Sequence, residues 1–178
     1  MIIGLTGYAQ SGKDTVAKIL IEHFGYRRVA FADPIRKLLY EMNPTVKDGG
    51  YRLSGVVDGY GWDVAKTAFP EVRTLLQNLG VGARNTFGES FWVDQALMGL
   101  THTDKVVITD VRFSNEADAI KQHEGAQMWR IKRVGVNAVN EHVSESQMDG
   151  YGVDQIFVNN GTVDDLKTLI QTRMRGHA

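Results

Sequence analysis

The sequence contains no cysteine among its 178 residues. Disulfide bonds and cysteine-based zinc sites are therefore excluded. A chain of this length can bury a full hydrophobic core without such crosslinks. The absence of cysteine suits a reducing compartment, and we expect a cytoplasmic protein.

A long apolar run and a large net charge of one sign are also lacking. No stretch approaches the roughly 20 apolar residues that cross a bilayer, and the first residues lack the basic region of a signal peptide. The formal net charge is only −1, whereas a general nucleic-acid binder usually carries a strong basic excess. We therefore expect neither a membrane nor a nucleic acid as a partner.

Short apolar runs alternate with helical patterns along the chain. The runs are typical of buried strands, and the segments between them carry apolar residues at helical spacing. This alternation predicts one α/β domain over residues 1–178, with a parallel sheet flanked by helices. The predicted strands are residues 2–5, 28–31, 106–109, 127–134 and 156–158. The predicted helices are residues 13–24, 34–42, 70–79, 91–100, 117–123 and 162–174.

Two polar segments have no clear hydrophobic period. Residues 45–62 are rich in glycine and polar side chains, which predicts a flexible insertion. Residues 135–152 follow a basic strand end, and basic residues on such a segment favour a lid over transferring phosphates. The cations involved are Arg130, Lys132 and Arg133, for which an ordinary exposed strand end is the alternative.

The strongest signal is a P-loop motif, G-x-x-x-x-G-K, which residues 7–13 match as GYAQSGK. It lies directly after a predicted strand and before a predicted helix, as a P-loop requires. Its glycines permit backbone angles that let N–H groups face phosphate oxygens, and the helix N-terminus favours the anion. Lys13 adds a positive charge for the β- and γ-phosphates. The residues predicted to bind ATP with Mg²⁺ are Gly7, Ala9, Gln10, Ser11, Gly12, Lys13, Asp14 and Thr15.

The motif departs from the usual P-loop at one position. A hydroxyl normally follows the lysine and binds Mg²⁺, but here Asp14 stands in that place and Thr15 follows. Because Mg²⁺ prefers oxygen ligands and keeps several waters, both residues are candidate magnesium ligands. The alternative for Asp14 is a favourable charge at a helix N-terminus.

Charged residues follow the apolar strand at 106–109. Asp110 at its end is placed to face Mg²⁺, as in a Walker B strand, or to bind a ligand at the sheet edge. Arg112 suits a phosphate, because its planar guanidinium binds oxygens bidentately. A turn-capping carboxylate and a surface ion pair are the respective alternatives.

Further candidates for a second substrate lie between residues 33 and 92. Asp33 is predicted to be the N-cap of a helix with Pro34 in its first position, which needs no functional role. Arg36 and Arg73 lie on helices that either line an acceptor cleft or face solvent. Trp92 belongs to an aromatic cluster that suits either base stacking or core packing.

Taken together, these residues resemble the phage-type deoxynucleoside monophosphate kinases of the P-loop nucleoside monophosphate kinase superfamily. The resemblance rests on the P-loop with Asp after its lysine and on later blocks that occur in the family's order and span most of the chain. These blocks are FADP at 31–34, RTLLQNLG at 73–80, FGESFWV at 87–93, TDVRFSNE at 109–116 and HVSE at 142–145.

The resemblance implies a P-loop NTPase-type fold with an acceptor-binding region and a lid. It implies transfer of the γ-phosphate of ATP to a deoxynucleoside monophosphate, a homodimer, and the host cytoplasm if a phage encodes the chain. The residues predicted to line the acceptor site are Asp33, Arg36, Arg73, Gln77, Trp92, Asp110, Arg112 and Glu145. The predicted catalytic residues are Lys13, Asp14, Arg112, Arg130 and Arg133.

Two other functions stay open on the sequence. One is a related P-loop kinase that acts on another small metabolite, since the P-loop does not specify the acceptor. The other is a nucleotide switch or ATP-binding module, although the N-K-x-D base-recognition motif of GTPases is absent from the sequence.

Overall fold

The computed structural model of the chain describes residues 1–47, 49–101, 103–135 and 148–176. These residues form two compact units, the first from Met1–Ala30 and Leu97–Ala178 and the second from Phe31–Ala96. None of the helices in the described ranges is long and apolar enough to cross a membrane. In chain order the elements are β1 (Ile2–Thr6), α1 (Lys13–Phe24), β2 (Arg27–Val29), α2 (Ala32–Met42), β3 (Thr45–Val46), β4 (Tyr51–Arg52), α3 (Leu53–Ala68), α4 (Pro70–Phe87), α5 (Phe91–Leu97), β5 (Val106–Ile108), α6 (Ser114–Lys121), β6 (Gln127–Lys132), β7 (Gln155–Val158) and α7 (Val163–Arg175).

The first unit is built on a five-stranded parallel sheet with the order β2-β5-β1-β6-β7. Strand β1 lies at its centre, where Gly4 is in register with Ile108 on one side and Met128 on the other. All five residues of β1 are buried, as expected of a parallel strand covered on both faces.

Two helices cover one face of this sheet, and α6 packs on the other. Side chains of α1 and α7 form a core with alternate residues of β1, β6 and β7, in which the rings of Trp129 and Phe157 lie 5.0 Å apart. On the other face, a Cβ atom at Gly4 would lie 2.9 Å from Ile120 of α6. The central strand is therefore held from both sides, which fixes the position of the loop that follows it.

The second unit contains α2, the antiparallel pair β3–β4, α3, α4 and most of α5. Its core includes Leu39, Val46, Leu53 and Val72 and collects side chains from four of these elements. Helix α3 is kinked at Gly61, which has φ 73° and ψ 162°, values that are not helical.

The predicted α/β architecture is confirmed, and most element boundaries agree to within a few residues. Helix α1 ends where predicted, at Gly25 in the left-handed conformation. Helix α7 begins with a capping box, in which Thr162 and Asp165 exchange hydrogen bonds.

Two local predictions are wrong. Residues 45–62, predicted to be a loop, form the β3–β4 pair and the first part of α3. Their glycines conceal the helical spacing of the buried Leu53 and Val56. The N-cap of α2 is Phe31 and not Asp33, because the helix starts two residues earlier than predicted. Pro34 is still tolerated in the first turn, where the N–H that it lacks would have no intrahelical acceptor.

Candidate functional site

The phosphate loop, residues 7–13, connects the buried end of β1 to the first turn of α1. Gly7 and Gly12 have φ values of 140° and 108°, which L side chains rarely adopt. A Cβ atom at Gly7 would also overlap the carbonyl oxygen of Ile131, and one at Gly12 would overlap the side-chain amide of Asn159. Both glycine positions of the motif pattern therefore require glycine here for conformation and for space.

Lys13 folds back over the loop in which it lies. Its ammonium group donates hydrogen bonds to the carbonyl oxygens of Gly7 at 2.7 Å and Tyr8 at 2.8 Å. Lys13 also begins α1, so its charge adds to the positive end of the helix dipole. The loop thus concentrates positive potential at the point where the motif predicts phosphates.

Ser11 lies at the base of the loop and is 1% exposed. Its hydroxyl makes no hydrogen bond within the described part of the chain. A buried hydroxyl without a partner is costly, so such a group commonly marks a place that a ligand or water completes. The orphaned hydroxyl fits a loop that is built to receive an anion.

A cavity of about 280 Å³ opens beside the phosphate loop, entirely within the first unit. This volume is near the lower end of the range for small-molecule sites. The residues at its wall that were predicted from the sequence are Gln10, Gly12, Lys13, Asp14, Thr15 and Arg133. Those that were not predicted are Asn159, Gly161, Val163 and Leu166.

Asp14 and Thr15 provide the oxygen atoms at the start of α1 and both line the cavity. Within the described residues there is no group of three or more His, Cys, Asp or Glu side chains that could hold a metal by itself. Mg²⁺ in nucleotide enzymes typically takes one or two protein oxygens together with phosphates and waters. The two residues therefore fit a magnesium ion that is shared with a bound triphosphate.

Strand β5 pairs with β1, so the segments that follow both strands leave the sheet at the same edge. Asp110 there is half-buried, and Arg112 is exposed. Glu116, which is 6% exposed, accepts hydrogen bonds from the backbone N–H groups of Arg112 at 2.7 Å and Phe113 at 3.1 Å. Glu116 therefore fixes the backbone that carries Arg112, a role that was not predicted from the sequence.

Arg130, a predicted catalytic residue, contacts the backbone at residues 148–151. Its guanidinium donates to the carbonyl oxygens of Met148, Asp149 and Tyr151. The hydroxyl of Tyr8 in the phosphate loop also donates to the Asp149 carboxylate, at 2.8 Å. Arg130 and Tyr8 thus attach the end of the predicted lid segment to the sheet and to the phosphate loop.

The rest of the predicted lid is only partly described. Arg133 is exposed and lines the cavity, whereas Lys132 is exposed at the end of β6. Glu145, predicted to bind the acceptor, and residues 136–147 of the lid segment lie outside the described residues.

The second unit carries five of the predicted acceptor residues. Asp33 and Arg36 form an ion pair on α2 with a nitrogen–oxygen distance of 3.6 Å. Arg73 and Gln77 are exposed, and their spacing of four residues on α4 places them on one face of that helix. Trp92 is 3% exposed, and its indole N–H donates to the Gly80 carbonyl at 2.9 Å. The remaining described members of the predicted set, Asp110 and Arg112, belong to the first unit.

Comparisons with known proteins identify the family of the chain. Residues 62–170 match the model of a family described as deoxynucleotide monophosphate kinase. A protein of Acanthamoeba polyphaga mimivirus, provisionally named as a deoxynucleotide monophosphate kinase, is 30% identical over 190 residues, covering 96% of this chain and 94% of its own.

Solved structures of two kinases align with this chain at low sequence identity. Dephospho-CoA kinase from Campylobacter jejuni aligns with a TM-score of 0.50 and 12% identity, covering 98% of this chain and 95% of its own. Shikimate kinase from Aquifex aeolicus aligns with a TM-score of 0.49 and 13% identity, covering 99% and 98%. The first of these likenesses supports the P-loop fold.

Proposed function

The chain belongs to the deoxynucleotide monophosphate kinase family, and from this premise we propose that it transfers the γ-phosphate of Mg-ATP to a deoxynucleoside monophosphate. The observation that carries this proposal is the phosphate loop with Lys13 folded over it, at the wall of a cavity. In the reaction, an oxygen of the acceptor phosphate bonds to the γ-phosphorus as the bond to the β–γ bridging oxygen breaks. The products are a deoxynucleoside diphosphate and ADP.

Binding of the donor uses the backbone of the phosphate loop and the side chain of Lys13. When the triphosphate enters, the Lys13 ammonium exchanges its loop carbonyl partners for β- and γ-phosphate oxygens. This exchange requires little movement, because the group already lies over the loop. We expect further atoms of ATP to enter the cavity beside the loop, since Lys13 lines it.

Asp14 and Thr15 would hold Mg²⁺, directly or through water, at the start of α1. The ion neutralises charge on the β- and γ-phosphates when it is bound. Asp14 is exposed, so a metal at this position can keep several of its waters.

The negative charge of the transition state lies on the equatorial oxygens of the transferring group, and cations close to those oxygens lower the barrier. We assign this role first to Lys13 and Arg133, since both line the cavity. Arg112 is the candidate at the edge of β5, on backbone that Glu116 holds. Arg130 donates to three carbonyls at residues 148–151, so its proposed contribution is to hold the lid segment.

The side chains proposed to bind the acceptor are Asp33, Arg36, Arg73 and Gln77 of the second unit and, separately, Asp110 and Arg112 of the first. An arginine fork suits the acceptor phosphate, and the carboxylates and the amide suit hydroxyl and base edges. Trp92 is buried with its N–H already donating, so its proposed part is to fix the corner between α4 and α5. The homodimer and the cytoplasmic location stay predictions.

The proposal is tested by ADP release from Mg-ATP with a panel of the four deoxynucleoside monophosphates and the four matching ribonucleotides. We expect at least one deoxynucleotide to stimulate release far above the rate without acceptor, because the acceptor phosphate supplies the nucleophile. If no deoxynucleotide raises the rate, the proposal is wrong. Slow release that no acceptor changes would instead indicate a nucleotide switch, and stimulation only by another metabolite would indicate a different small-molecule kinase.

A further inference from the structure

The segment between β7 and α7, which we call the 159–162 loop, has been given no role so far. Two of its residues, Asn159 and Gly161, line the same cavity as the phosphate loop. Asn159 is half-buried, and its position is far from the motif, at 148 residues from Ser11 along the chain.

Asn159 contacts the second half of the phosphate loop directly. Its side-chain amide nitrogen donates to the Ser11 carbonyl oxygen at 2.9 Å. The same amide group lies against Gly12 so closely that a Cβ atom there would overlap it. Asn159 therefore holds one peptide group of the loop, the one that joins Ser11 to Gly12.

The direction of that peptide matters for anion binding. In a trans peptide the C=O and N–H groups point in opposite directions. A Ser11 carbonyl held towards Asn159 consequently turns the Gly12 N–H to the opposite side. Phosphate loops work by presenting successive N–H groups to the anion, so the direction of this N–H is functionally important.

The loop needs such support because one of its residues has an unfavourable backbone conformation. Gly12 has φ 108°, which glycine adopts freely, but Gln10 has φ 62°, a left-handed conformation that is uncommon outside glycine. Residues in such conformations persist only where their surroundings hold them. Lys13 holds the carbonyls of the first half of the loop, and Asn159 holds a carbonyl of the second half.

Asn159 is itself held firmly at the end of the sheet. Its backbone N–H donates to the Lys132 carbonyl at 2.7 Å, and the Val134 N–H donates to the Asn160 side chain at 2.9 Å. Directly after it, the capping box of Thr162 and Asp165 fixes the start of α7. An amide donor on such a rigid support is suited to preorganise the neighbouring loop.

We propose that Asn159 is a positioning residue of the phosphate loop, which keeps the Gly12 N–H directed at the donor phosphates by holding the Ser11 carbonyl. This inference rests on the proposed function in that a polyphosphate is the ligand of the loop. The proposed role requires the amide nitrogen of Asn159 specifically. A carboxylate at position 159 has no N–H to donate, so two hydrogen-bond acceptors would face each other at the Ser11 carbonyl.

The experiment measures binding of Mg-ATP and of magnesium tripolyphosphate by calorimetry, without an acceptor, to the wild type and to Asn159→Asp, Asn159→Ala and Asn160→Asp. Asn160→Asp is the matched control, because it adds the same charge one residue away and keeps an acceptor for the Val134 N–H. We expect Asn159→Ala to weaken both ligands about tenfold, Asn159→Asp to weaken them further, and the control to stay within about threefold.

Each other outcome contradicts the proposal in a different way. Equal losses in Asn159→Asp and Asn160→Asp would show an effect of charge alone. A loss for ATP with unchanged tripolyphosphate binding would show that Asn159 contacts the nucleoside. Circular dichroism checks the fold of each variant. If Asn159→Asp does not fold, Asn159→Ala decides, and unfolding of both would make Asn159 a residue of stability only.

The design separates this inference from the proposed function. A wild type that binds both ligands but transfers phosphate to no deoxynucleotide would refute the acceptor assignment and leave the Asn159 result intact. A wild type that binds neither ligand would overturn the inference itself.

Discussion

The phosphate loop and the proposed acceptor residues on α2 and α4 present their chemistry in different ways. The loop acts through its backbone, with positive φ values at Gly7, Gln10 and Gly12 and carbonyls held by Lys13 and Asn159. Arg73 and Gln77, which are proposed to bind the acceptor, are exposed side chains on a regular helix. The difference teaches that the first site is set by conformation and the second by side-chain identity, so the two should respond differently to substitution.

The largest effect is expected from Lys13→Ala. Removing the ammonium group should lower kcat/KM for ATP by about 10³-fold, because the charge developing on the transferring phosphate loses its partner. Steady-state ADP release measures this loss. The matched control is Lys18→Ala, on the exposed side of the same helix, which removes a surface ion pair with Glu22 at 3.7 Å. A comparable loss in both variants would contradict the role of Lys13.

Gly12→Ala tests whether the loop acts through its conformation. Alanine at this position would have an unfavourable φ, and its methyl group would overlap the Asn159 amide. We therefore expect kcat/KM for ATP to fall on the order of 10²-fold. Gly25→Ala, at the other end of α1, has a positive φ but open space around it. It should cost roughly 1 kcal/mol of stability and leave kcat/KM for ATP unchanged. Equal losses of kcat/KM in Gly12→Ala and Gly25→Ala would contradict the claim that the phosphate loop acts through its conformation.

Arg73→Ala tests the other side of the comparison. Truncating an exposed side chain should raise the KM for the deoxynucleotide about tenfold, because one charged hydrogen-bond partner is lost, with little change in the KM for ATP. Arg73→Lys should lie in between, since it keeps the charge without the planar fork. Lys66→Ala, which removes another cation of the second unit, serves as the control. Equal changes in both KM values would contradict the assignment of Arg73 to the acceptor.

The smallest effect is expected at the cap of α7. Thr162→Ala should cost about 1 kcal/mol of unfolding free energy near neutral pH, as measured with urea, with ATP binding within about twofold of the wild type.

Hydrogen bonds from the Thr162 side chain and backbone N–H lower the pKa of the Asp165 carboxyl. Because the folded pKa is lowered, this stabilisation is complete above the ordinary value of about 3.9 and is lost as the pH falls through the folded pKa. If the difference in unfolding free energy between the wild type and Thr162→Ala does not become smaller at acidic pH, this account is contradicted.

The sequence predicted the phosphate loop because the conformations that the loop needs are encoded locally. Glycines at 7 and 12 and a lysine at 13 leave few other structures between a strand and a helix. Strands and helices with a strong hydrophobic period, such as β1 and α1, were predicted for the same reason. The helix within residues 53–62 was missed because its glycines weaken that period.

Contacts between distant parts of the chain could not be predicted in this way. An asparagine after a strand, such as Asn159, is typical of a turn, and nothing local indicates that its amide reaches Ser11. The charge of Arg130 was visible, but its carbonyl partners at residues 148–151 were not. Glu116 was seen only as part of a sequence block, whereas its role depends on the backbone geometry after β5.

The central claim is that this chain moves a phosphoryl group from ATP to a deoxynucleoside monophosphate. The most direct test follows the label of γ-labelled ATP, incubated with magnesium, the purified protein and each deoxynucleoside monophosphate in turn. The account predicts that the label appears in the β-phosphate of a deoxynucleoside diphosphate, and that Lys13→Ala greatly slows its appearance. Label that is recovered only as inorganic phosphate, with every deoxynucleotide, would contradict the account.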